Sequence, residues 1–296
     1  MIRTRFAPSP TGDLHVGGAW TALAAWDMAR SARGAFVIRV EDLDPPRIVK
    51  GSVPRILEDL SWMGVSWDEG PDVGGPCAPY TQSARAPLYE ASLDLLTVRG
   101  LTYPCDCSRA EIARIASAPH AGEDVVYPGT CREGDPKREM RRPPAIRLRV
   151  PPGEIGFEDG MVGCFSHDVA RDVGDFVLRR GDGVFAYQLA VTVDDLAMRI
   201  TDVVRGEDLL ASTPRQILLA RLLGAEPPKY WHVPLVLASD GTRLAKRTPG
   251  GTIRELRKKG FGPEDVVRTL RAGLSVRGST WRIPQEWCRT HIPRSS

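Results

Sequence analysis

The sequence predicts an α/β fold organised around a parallel sheet of the nucleotide-binding kind. Over the first hundred residues, segments typical of strands alternate with segments typical of helices, in the order β, α, β, α. A loop rich in proline and glycine joins the first strand to the first helix, at the position where open parallel sheets bind ligands. From residue 104 the chain becomes rich in Cys, Pro, Gly and Arg, which indicates an inserted module.

The first elements of the predicted sheet are bounded by glycines and turn-forming residues. Residues 2–7 and 36–40 are expected to form buried strands, joined by a helix over residues 14–32 that closes at Gly34. Ser52 is expected to cap the next helix, because a serine side chain accepts hydrogen bonds from the unpaired N–H groups of a first helical turn.

A third helix is expected to begin at Ser83 and to bury Leu88, Leu95 and Leu96. Later expected elements are a capped helix at 108–117, a hairpin turning at 181–183, a strand at 200–204, a helix at 213–224 and a last clear strand at 233–238. We therefore divide the chain into a Rossmann-type first half (1–103), an inserted module (104–185), a second half (186–250) and a short helical C-terminal segment (251–296).

Composition favours a cytosolic enzyme over a membrane or secreted protein. No run approaches the roughly 18 consecutive apolar residues that a membrane span needs. The N-terminus lacks a signal-peptide pattern. Six cysteines in a chain of this size do not suggest a disulfide framework. We expect a cytoplasmic monomer.

Charge is distributed unevenly along the chain. From residue 243 onward there are 13 Lys and Arg against 4 Asp and Glu, whereas the preceding part carries 27 basic and 33 acidic residues. A basic segment on an acidic body is typical of an RNA-facing surface. The alternative is a solvated helix face that happens to be rich in arginine.

The loop over residues 5–18 is the most informative segment of the sequence. Gly12, Gly17 and Gly18 permit a purine or a phosphate to approach the backbone closely. The helix start adds unpaired N–H groups and the positive end of the helix dipole. His15 is a candidate donor to the charge that develops on an α-phosphate during attack, or alternatively an ordinary loop histidine.

This loop resembles the HIGH signature of class I aminoacyl-tRNA synthetases, with His15-Val16-Gly17-Gly18 at the four positions, and the residues before it resemble the glutamyl and glutaminyl subgroup. Residues 243–247 resemble the KMSKS signature: Lys246 matches its second lysine, Arg243 replaces the first, and Ala245 replaces the serine. The resemblance covers about residues 2–250 and implies a class I synthetase fold that uses ATP with Mg²⁺. It implies catalytic roles for His15, Lys246 and Arg243, and nucleotide binding by Gly12, His15, Gly17, Gly18 and Lys246.

Three further segments resemble those with which this subgroup holds glutamate: residues 39–44, 185–195 and 203–208. The resemblance implies that Glu41 binds the ammonium group, that Arg205 pairs with a carboxylate in bidentate fashion, and that Tyr187 lines the pocket. The other implied substrate contacts come from the first strand and its loop: Arg5, Phe6, Ala7, Pro8 and Ser9.

Length and local motifs point to a short branch of the subgroup. About 45 residues follow the Lys246 loop, which is too few for a separate anticodon-binding domain. Val191 stands where full-length enzymes usually have Asn, and residues 41–47 resemble the EDxDPPR string of the short paralogues, the glutamyl-Q tRNA(Asp) synthetases.

Three cysteines and a tyrosine form a pattern that suits zinc. Cys105, Cys107 and Cys131 with Tyr127 would supply three thiolates and one oxygen, a closed tetrahedral set of the structural kind. His120 lies in the gap of 19 residues between Cys107 and Tyr127, and it is an alternative fourth ligand. Three buried or surface thiols are the alternative to zinc. The glutamyl-Q enzymes resemble this arrangement in using Cys, Cys, Tyr and Cys.

The resemblance implies ATP-dependent activation of L-glutamate to glutamyl-adenylate. It also implies transfer, without tRNA(Glu), to the queuosine base in the anticodon of tRNA(Asp). Three alternatives stay open: a truncated glutamyl-tRNA synthetase that charges tRNA(Glu), a non-catalytic RNA- or zinc-binding module, and another adenylate-forming nucleotidyltransferase.

Overall fold

The computed structural model describes most of the chain, namely residues 1–108, 110–112, 126–134, 139–241, 244, 250–274 and 281–288. Among these residues we find no helix with the length and apolar character that crossing a bilayer requires.

The described strands, in chain order, are β1 (Arg3–Phe6), β2 (Ala35–Ile38), β3 (Thr102–Cys105), β4 (Ala145–Leu148), β5 (Glu154–Asp159), β6 (Gly163–Asp168), β7 (Val177–Arg179), β8 (Asp202–Gly206), β9 (Lys229–Val233), β10 (Val236–Leu237) and β11 (Trp281–Arg282). The described helices are α1 (Val16–Ser31), α2 (Ser52–Trp62), α3 (Ala86–Val98), α4 (Val169–Asp172), α5 (Tyr187–Ala197), α6 (Thr213–Leu222), α7 (Ile253–Lys258), α8 (Pro263–Leu274) and α9 (Gln285–Cys288).

A parallel arrangement of β2, β1, β8 and β9 forms the centre of the fold. β1 pairs with β2, from Arg3 opposite Ala35 to the ends of both strands. β8 pairs with β9 in the same parallel sense. Thr201 connects the two pairs, because its N–H donates to Arg3 O at 2.9 Å and its carbonyl accepts from Lys229 N at 2.9 Å. The predicted α/β fold is confirmed.

The region predicted as an insertion contributes strands to two sheets. β3, β4 and β7 form an antiparallel sheet. The β5–β6 hairpin joins β9 instead, through the pair Asp159–Tyr230. Neither this hairpin nor β9 was predicted from the sequence. β9 reads Lys-Tyr-Trp-His-Val, which lacks the aliphatic run that marked the other central strands.

The expectation that Ser52 caps α2 is wrong. Gly51 is the N-cap residue and adopts a left-handed conformation with φ of 75°. Ser52 instead donates its hydroxyl hydrogen to Gly12 O at 2.5 Å and accepts from Gly12 N at 3.2 Å. It therefore fastens the loop between β1 and α1 to the start of α2.

The expected buried face of α3 is also wrong in part. Leu96 is buried, but Leu88 and Leu95 are 42% and 38% exposed, and Tyr89 and Leu93 take their place. Tyr89 faces inward because its hydroxyl reaches a buried carboxylate in α5.

The turn predicted at residues 181–183 is present, since Arg180 N donates to Val184 O at 2.8 Å. The predicted hairpin is therefore confirmed in a short form: Arg179 forms an antiparallel bridge with Phe185, and Ala186 N donates to Leu178 O at 2.8 Å, before Tyr187 begins α5. The capped helix start at 108 is confirmed: Ser108 N donates to the Glu111 carboxylate at 2.6 Å and Glu111 N to the Ser108 hydroxyl at 3.2 Å. The remainder of that predicted helix lies outside the described residues.

The basic C-terminal segment packs against the acidic body of the protein. Arg254 and Arg257 contact Glu58 and Asp59 of α2. Arg271 pairs in the same way with an aspartate of α1, at 2.7 Å. Part of the charge asymmetry therefore serves docking within the chain.

Gly273 lies where α8 meets the tryptophans that close the core. Trp20 and Trp281 stack with ring centroids 4.8 Å apart. A Cβ at Gly273 would lie 2.4 Å from the Trp20 ring. The close approach of α8 to α1 therefore requires a residue without a side chain at position 273.

We expect Gly273→Ala to lower the free energy of unfolding by about 1–3 kcal/mol, because the added methyl group overpacks the interface. Gly156→Ala is the control, since a Cβ at that exposed strand position has room. Urea denaturation of both variants measures the difference, and equal stabilities would contradict the tight α1–α8 contact.

Candidate active site

A cavity of about 490 Å³ opens where the carboxyl ends of β1 and β8 meet the start of α5. It is lined by Arg5, Phe6, Ala7, Ser9, Gly18, Thr21, Glu41, Arg47, Tyr187, Val204, Arg205, Gly206, Asp208 and Leu209. Most of the residues predicted to bind the substrate therefore converge on one cavity.

A second cavity of about 260 Å³ adjoins the first at the start of α1. It is lined by His15, Gly17, Gly18, Trp20, Thr21, Gly206, Asp208, Pro234, Leu235, Val236 and Leu244. The two cavities share Gly18, Thr21, Gly206 and Asp208, so ligands in them would lie side by side.

His15 is the N-cap residue of α1. Its Nδ1 accepts a hydrogen bond from Gly17 N at 3.2 Å, so a neutral ring carries its proton on Nε2. The turn is held by the C-terminal segment, because Val16 N donates to Gly251 O at 2.9 Å and His15 forms an antiparallel bridge with Thr252. A ring donor and the start of a helix thus border the smaller cavity.

An ionic network is buried behind the wall of the larger cavity. Arg39 donates to Asp195 at 2.6 Å and to Glu41 at 3.0 Å. Arg5 donates to Asp195 at 3.2 Å and to the carbonyl oxygen of Val204 at 3.2 Å. The carboxylate of Asp195 therefore bridges two guanidinium groups, one from β1 and one from the residue that follows β2.

The neighbouring carboxylate of Asp194 holds a second set of partners. It accepts from Arg85 at 2.5 Å, from Gln82 at 2.7 Å and from Tyr89 at 2.9 Å. Arg39 Nε lies 3.6 Å from it. Asp194 thereby ties α5 to α3 and to the turn before α3.

The two acids of the network have opposite pKa shifts. Burial raises the pKa of Glu41, although Arg39 acts against the shift. Burial alone would also raise the pKa of Asp195, but the charges of Arg39 and Arg5 hold it below its usual value. Asp195 is thus fixed as an anion, whereas Glu41 is more easily protonated and gains from a further cation.

Arg205 borders the larger cavity and is already engaged inside the protein. It donates to Gln216 at 2.7 Å, to Thr213 at 2.7 Å, to His232 at 3.0 Å and to Leu209 O at 3.5 Å. These contacts use four of its five N–H groups. A bidentate grip on a substrate would require exchange of one bond, such as the long one to Leu209.

The remaining predicted pocket residues differ in position. Tyr187 lines the larger cavity, and burial raises the pKa of its hydroxyl. Pro8 acts through its backbone, because its carbonyl oxygen accepts from Glu41 N at 3.0 Å. Gly12 lies outside the linings of both cavities and forms a turn with φ of 136°, which favours glycine.

Arg243 and Lys246, the predicted phosphate-binding residues of the second signature, lie outside the described residues. Leu244 between them is described, is buried, and lines the smaller cavity.

Several cavity residues received no role in the sequence analysis. Arg47 lies at the larger cavity with its side chain 71% exposed, and Thr21 and Asp208 border both cavities. Arg47 belongs to the string at 41–47 that carried the resemblance, and it ends a short 3-10 helix over Pro45–Arg47. No sequence pattern distinguishes Thr21.

The predicted metal ligands converge at the end of β3. The sulfur atoms of Cys105, Cys107 and Cys131 all lie within 4.8 Å of one another. The Tyr127 hydroxyl lies 3.4 Å from Cys105 Sγ and 4.0 Å from Cys107 Sγ, and it accepts from Cys131 N at 2.9 Å. Three thiols and a phenol around one point suit a tetrahedral cation. The alternative ligand His120 lies outside the described residues.

Comparison with known proteins agrees with this geometry. Residues 1–290 match the family of class I tRNA synthetases (E and Q), catalytic domain. A glutamyl-Q tRNA(Asp) synthetase of Nitratidesulfovibrio vulgaris is 52% identical over 91% of this chain and 85% of its own length. One from Deinococcus radiodurans is 46% identical over 96% of this chain and 92% of its own length.

A solved glutamate tRNA ligase of Elizabethkingia meningosepticum, in complex with its amino acid, superposes with a TM-score of 0.74 and 34% identity. The match covers 88% of this chain and 53% of the ligase, so this chain spans about half the length of that protein. The fold and site thus define a class I synthetase catalytic domain of the glutamate and glutamine type. Within that class, the chain belongs to the glutamyl-Q tRNA(Asp) synthetase family.

We expect Asp195→Asn to lower the free energy of unfolding by about 3–5 kcal/mol, because it leaves two buried guanidinium groups without their shared anion. Asp182→Asn is the matched control, since Asp182 forms an exposed ion pair with Arg180, and the loss there should be at most about 1 kcal/mol. Denaturant titration of both variants tests this, and similar losses would refute the central role of Asp195.

Proposed function

We propose that this chain activates L-glutamate with ATP and transfers it, independently of tRNA(Glu), to the queuosine base of tRNA(Asp). The observation that carries the proposal is the larger cavity, which combines the arginines Arg5 and Arg205 with the buried acid Glu41. It lies beside the cavity at the start of α1. The names of the related enzymes support the choice of acceptor.

Glutamate carries two carboxylates and one ammonium group, and the larger cavity offers complementary charges. We assign the ammonium group to Glu41, whose raised pKa reflects burial that a cationic ligand would offset. Arg5 and Arg205 are assigned to the carboxylates, with Tyr187 as a wall of the pocket. Arg47 at the rim adds a third cation near the opening.

ATP is assigned to the smaller cavity. Its phosphates would lie at the N-terminus of α1 near Gly17 and Gly18, where the helix dipole favours negative charge. His15 would donate from Nε2 to the α-phosphate, and Arg243 with Lys246 would hold the leaving pyrophosphate. Mg²⁺ accompanies ATP and offsets the charge of its phosphates.

The reaction has two steps. An oxygen of the glutamate α-carboxylate attacks the α-phosphorus, the bond to the bridging oxygen breaks, and pyrophosphate leaves. A hydroxyl of the queuosine cyclopentenediol then attacks the activated carbonyl, and AMP leaves. Positioning and electrostatic stabilisation account for the rate in this scheme, without a covalent enzyme intermediate.

The acceptor is tested by incubating the protein with labelled glutamate, ATP and three RNAs. We expect glutamylation of tRNA(Asp) that contains queuosine, and none of queuosine-free tRNA(Asp) or of tRNA(Glu). Charging of tRNA(Glu) alone would instead identify a truncated glutamyl-tRNA synthetase. Failure to exchange pyrophosphate into ATP with glutamate present would favour a non-catalytic RNA-binding role.

The role of His15 is tested separately with His15→Asn. The asparagine oxygen can still accept from Gly17 N, so the helix cap is kept while the Nε2 donor is lost. We expect ATP–pyrophosphate exchange to fall by about 10²–10³ in kcat. His167→Asn, at a partly exposed histidine that pairs with Asp172, is the control and should leave exchange unchanged.

We also propose that Cys105, Cys107, Tyr127 and Cys131 hold one structural zinc ion. The convergence of the three sulfur atoms and the phenol supports this. Elemental analysis of the purified protein should give about one zinc per chain, because a closed structural site binds one ion through four protein ligands.

The ligand set is resolved by variants of the same protein. Zinc should be lost in Cys107→Ser and retained in Cys164→Ser, which changes an exposed cysteine outside the cluster. Loss in Tyr127→Phe with retention in His120→Ala would assign the fourth ligand to Tyr127, and the reverse pattern would assign it to His120. Zinc-free wild-type protein would overturn the proposal.

A further inference from the structure

The cavity arginine Arg205 rests on a buried histidine that the active-site motifs do not include. His232 lies in β9 with its side chain fully buried. Its Nε2 lies 3.0 Å from Arg205 Nε and 3.1 Å from the Thr213 hydroxyl. Tyr230, two residues earlier on the same strand, stacks on His232 with ring centroids 6.1 Å apart. The Arg205 Cζ atom lies 5.2 Å from the centroid of the Tyr230 ring.

Asp159 holds the other side of the His232 ring. Its Oδ2 lies 2.6 Å from His232 Nδ1. Its Oδ1 accepts from three backbone N–H groups, those of His232 at 3.1 Å, Met161 at 2.9 Å and Val162 at 3.0 Å. The carboxylate is thus fully hydrogen-bonded although it is buried.

These contacts fix the protonation of His232. Arg205 Nε can only donate, so His232 Nε2 must accept. The Asp159 carboxylate can only accept, so the proton lies on Nδ1. Burial lowers the pKa of His232 and favours the neutral ring. Burial alone would raise the pKa of Asp159, but the hydrogen bonds from His232 and the backbone lower it.

The inserted hairpin reaches this histidine through an unusually close contact. Asp159 ends β5, and Gly160 N donates to Tyr230 O at 2.9 Å. A Cβ on Gly160 would lie 2.0 Å from the Trp231 ring, so only glycine permits this approach of the hairpin to β9. A chain of contacts thus runs from the hairpin through Asp159 and His232 to the cavity.

We propose that His232, oriented by Asp159, is a positioning residue that sets the Arg205 guanidinium for the glutamate carboxylate. The inference rests on the proposed function. On this inference, the β5–β6 hairpin controls the affinity for the amino acid through the buried contact between Asp159 and His232, without itself contacting either substrate. Since Arg205 Nε is turned toward His232, its remaining Nη1 hydrogen is held in a defined direction.

The test uses two substitutions that each keep one half of the histidine. In His232→Gln the amide oxygen occupies the place of Nε2 and still accepts from Arg205. In His232→Asn the amide nitrogen occupies the place of Nδ1, keeps the contact with Asp159, and leaves Arg205 Nε without its acceptor. ATP–pyrophosphate exchange then gives KM for glutamate, KM for ATP and kcat for each variant.

We expect His232→Asn to raise KM for glutamate about 10-fold or more, since a hydrogen bond to a charged group is lost, with little change in KM for ATP. His232→Gln should recover most of the affinity. In an Arg205→Lys background, His232→Asn should add no further effect on KM, because the residue through which it acts is gone.

A purely structural role would lower the amount of folded protein in both variants and leave KM for glutamate unchanged in the folded fraction, which overturns the inference. Equal effects of the Asn and Gln variants overturn it as well.

If His232→Asn does not fold, Asp159→Asn is measured instead. The introduced amide can donate to Nδ1 and thereby move the ring proton of His232 to Nε2. KM for glutamate should then again rise selectively. An unchanged KM for glutamate would refute the link from Asp159 through His232 to Arg205. Absence of exchange by the wild-type protein would contradict the proposed function itself.

Discussion

The structure depends on two adjacent buried carboxylates in α5, Asp194 and Asp195. Together they hold Arg5 from β1, Arg39 directly after β2 and Arg85 from the turn before α3. Neutralising these cations individually would require acids from several elements. Two adjacent acids on one helix compensate the three buried arginine charges together and fix that helix against both parallel strands. Removal of either acid would leave a buried charge uncompensated, which is far more costly than loss of a surface pair.

The same network determines what the cavity can bind. Asp195 remains an anion because of its two arginines, whereas burial raises the pKa of Glu41 in spite of its hydrogen bond from Arg39. The cavity wall therefore presents cationic groups that are already positioned and an acid that favours an additional cation. A ligand with separated carboxylates and one ammonium group complements this arrangement, and preorganised partners cost little on binding.

Much of the site was predictable because its parts are contiguous in sequence. The β1–α1 loop, the acid after β2 and the arginine at the end of β8 are each short strings at ends of strands, and ends of parallel strands meet at one edge. Thr21 was missed because a single residue without a pattern acquires meaning only from its neighbours in space. Arg47 and Asp208 lie within strings that carried the resemblance, but only the structure places them at a cavity. The Ser52 and α3 expectations failed for a related reason: local rules predicted a cap and a leucine face, whereas contacts with Gly12 and Asp194 decided both.

The sequence by itself determined the fold class, the chemistry of the first loop and the cluster of cysteines, since these depend on residue type and spacing. Only the tertiary structure decided which charges pair with each other, which face of α3 is buried, and that the β5–β6 hairpin reaches His232 behind Arg205. Asp195 and Arg5 are 190 residues apart in the chain, and Asp159 and His232 are 73 residues apart. Hydrogen bonds between such distant residues leave no periodic pattern in the sequence, because they arise from the packing of whole elements and not from local geometry.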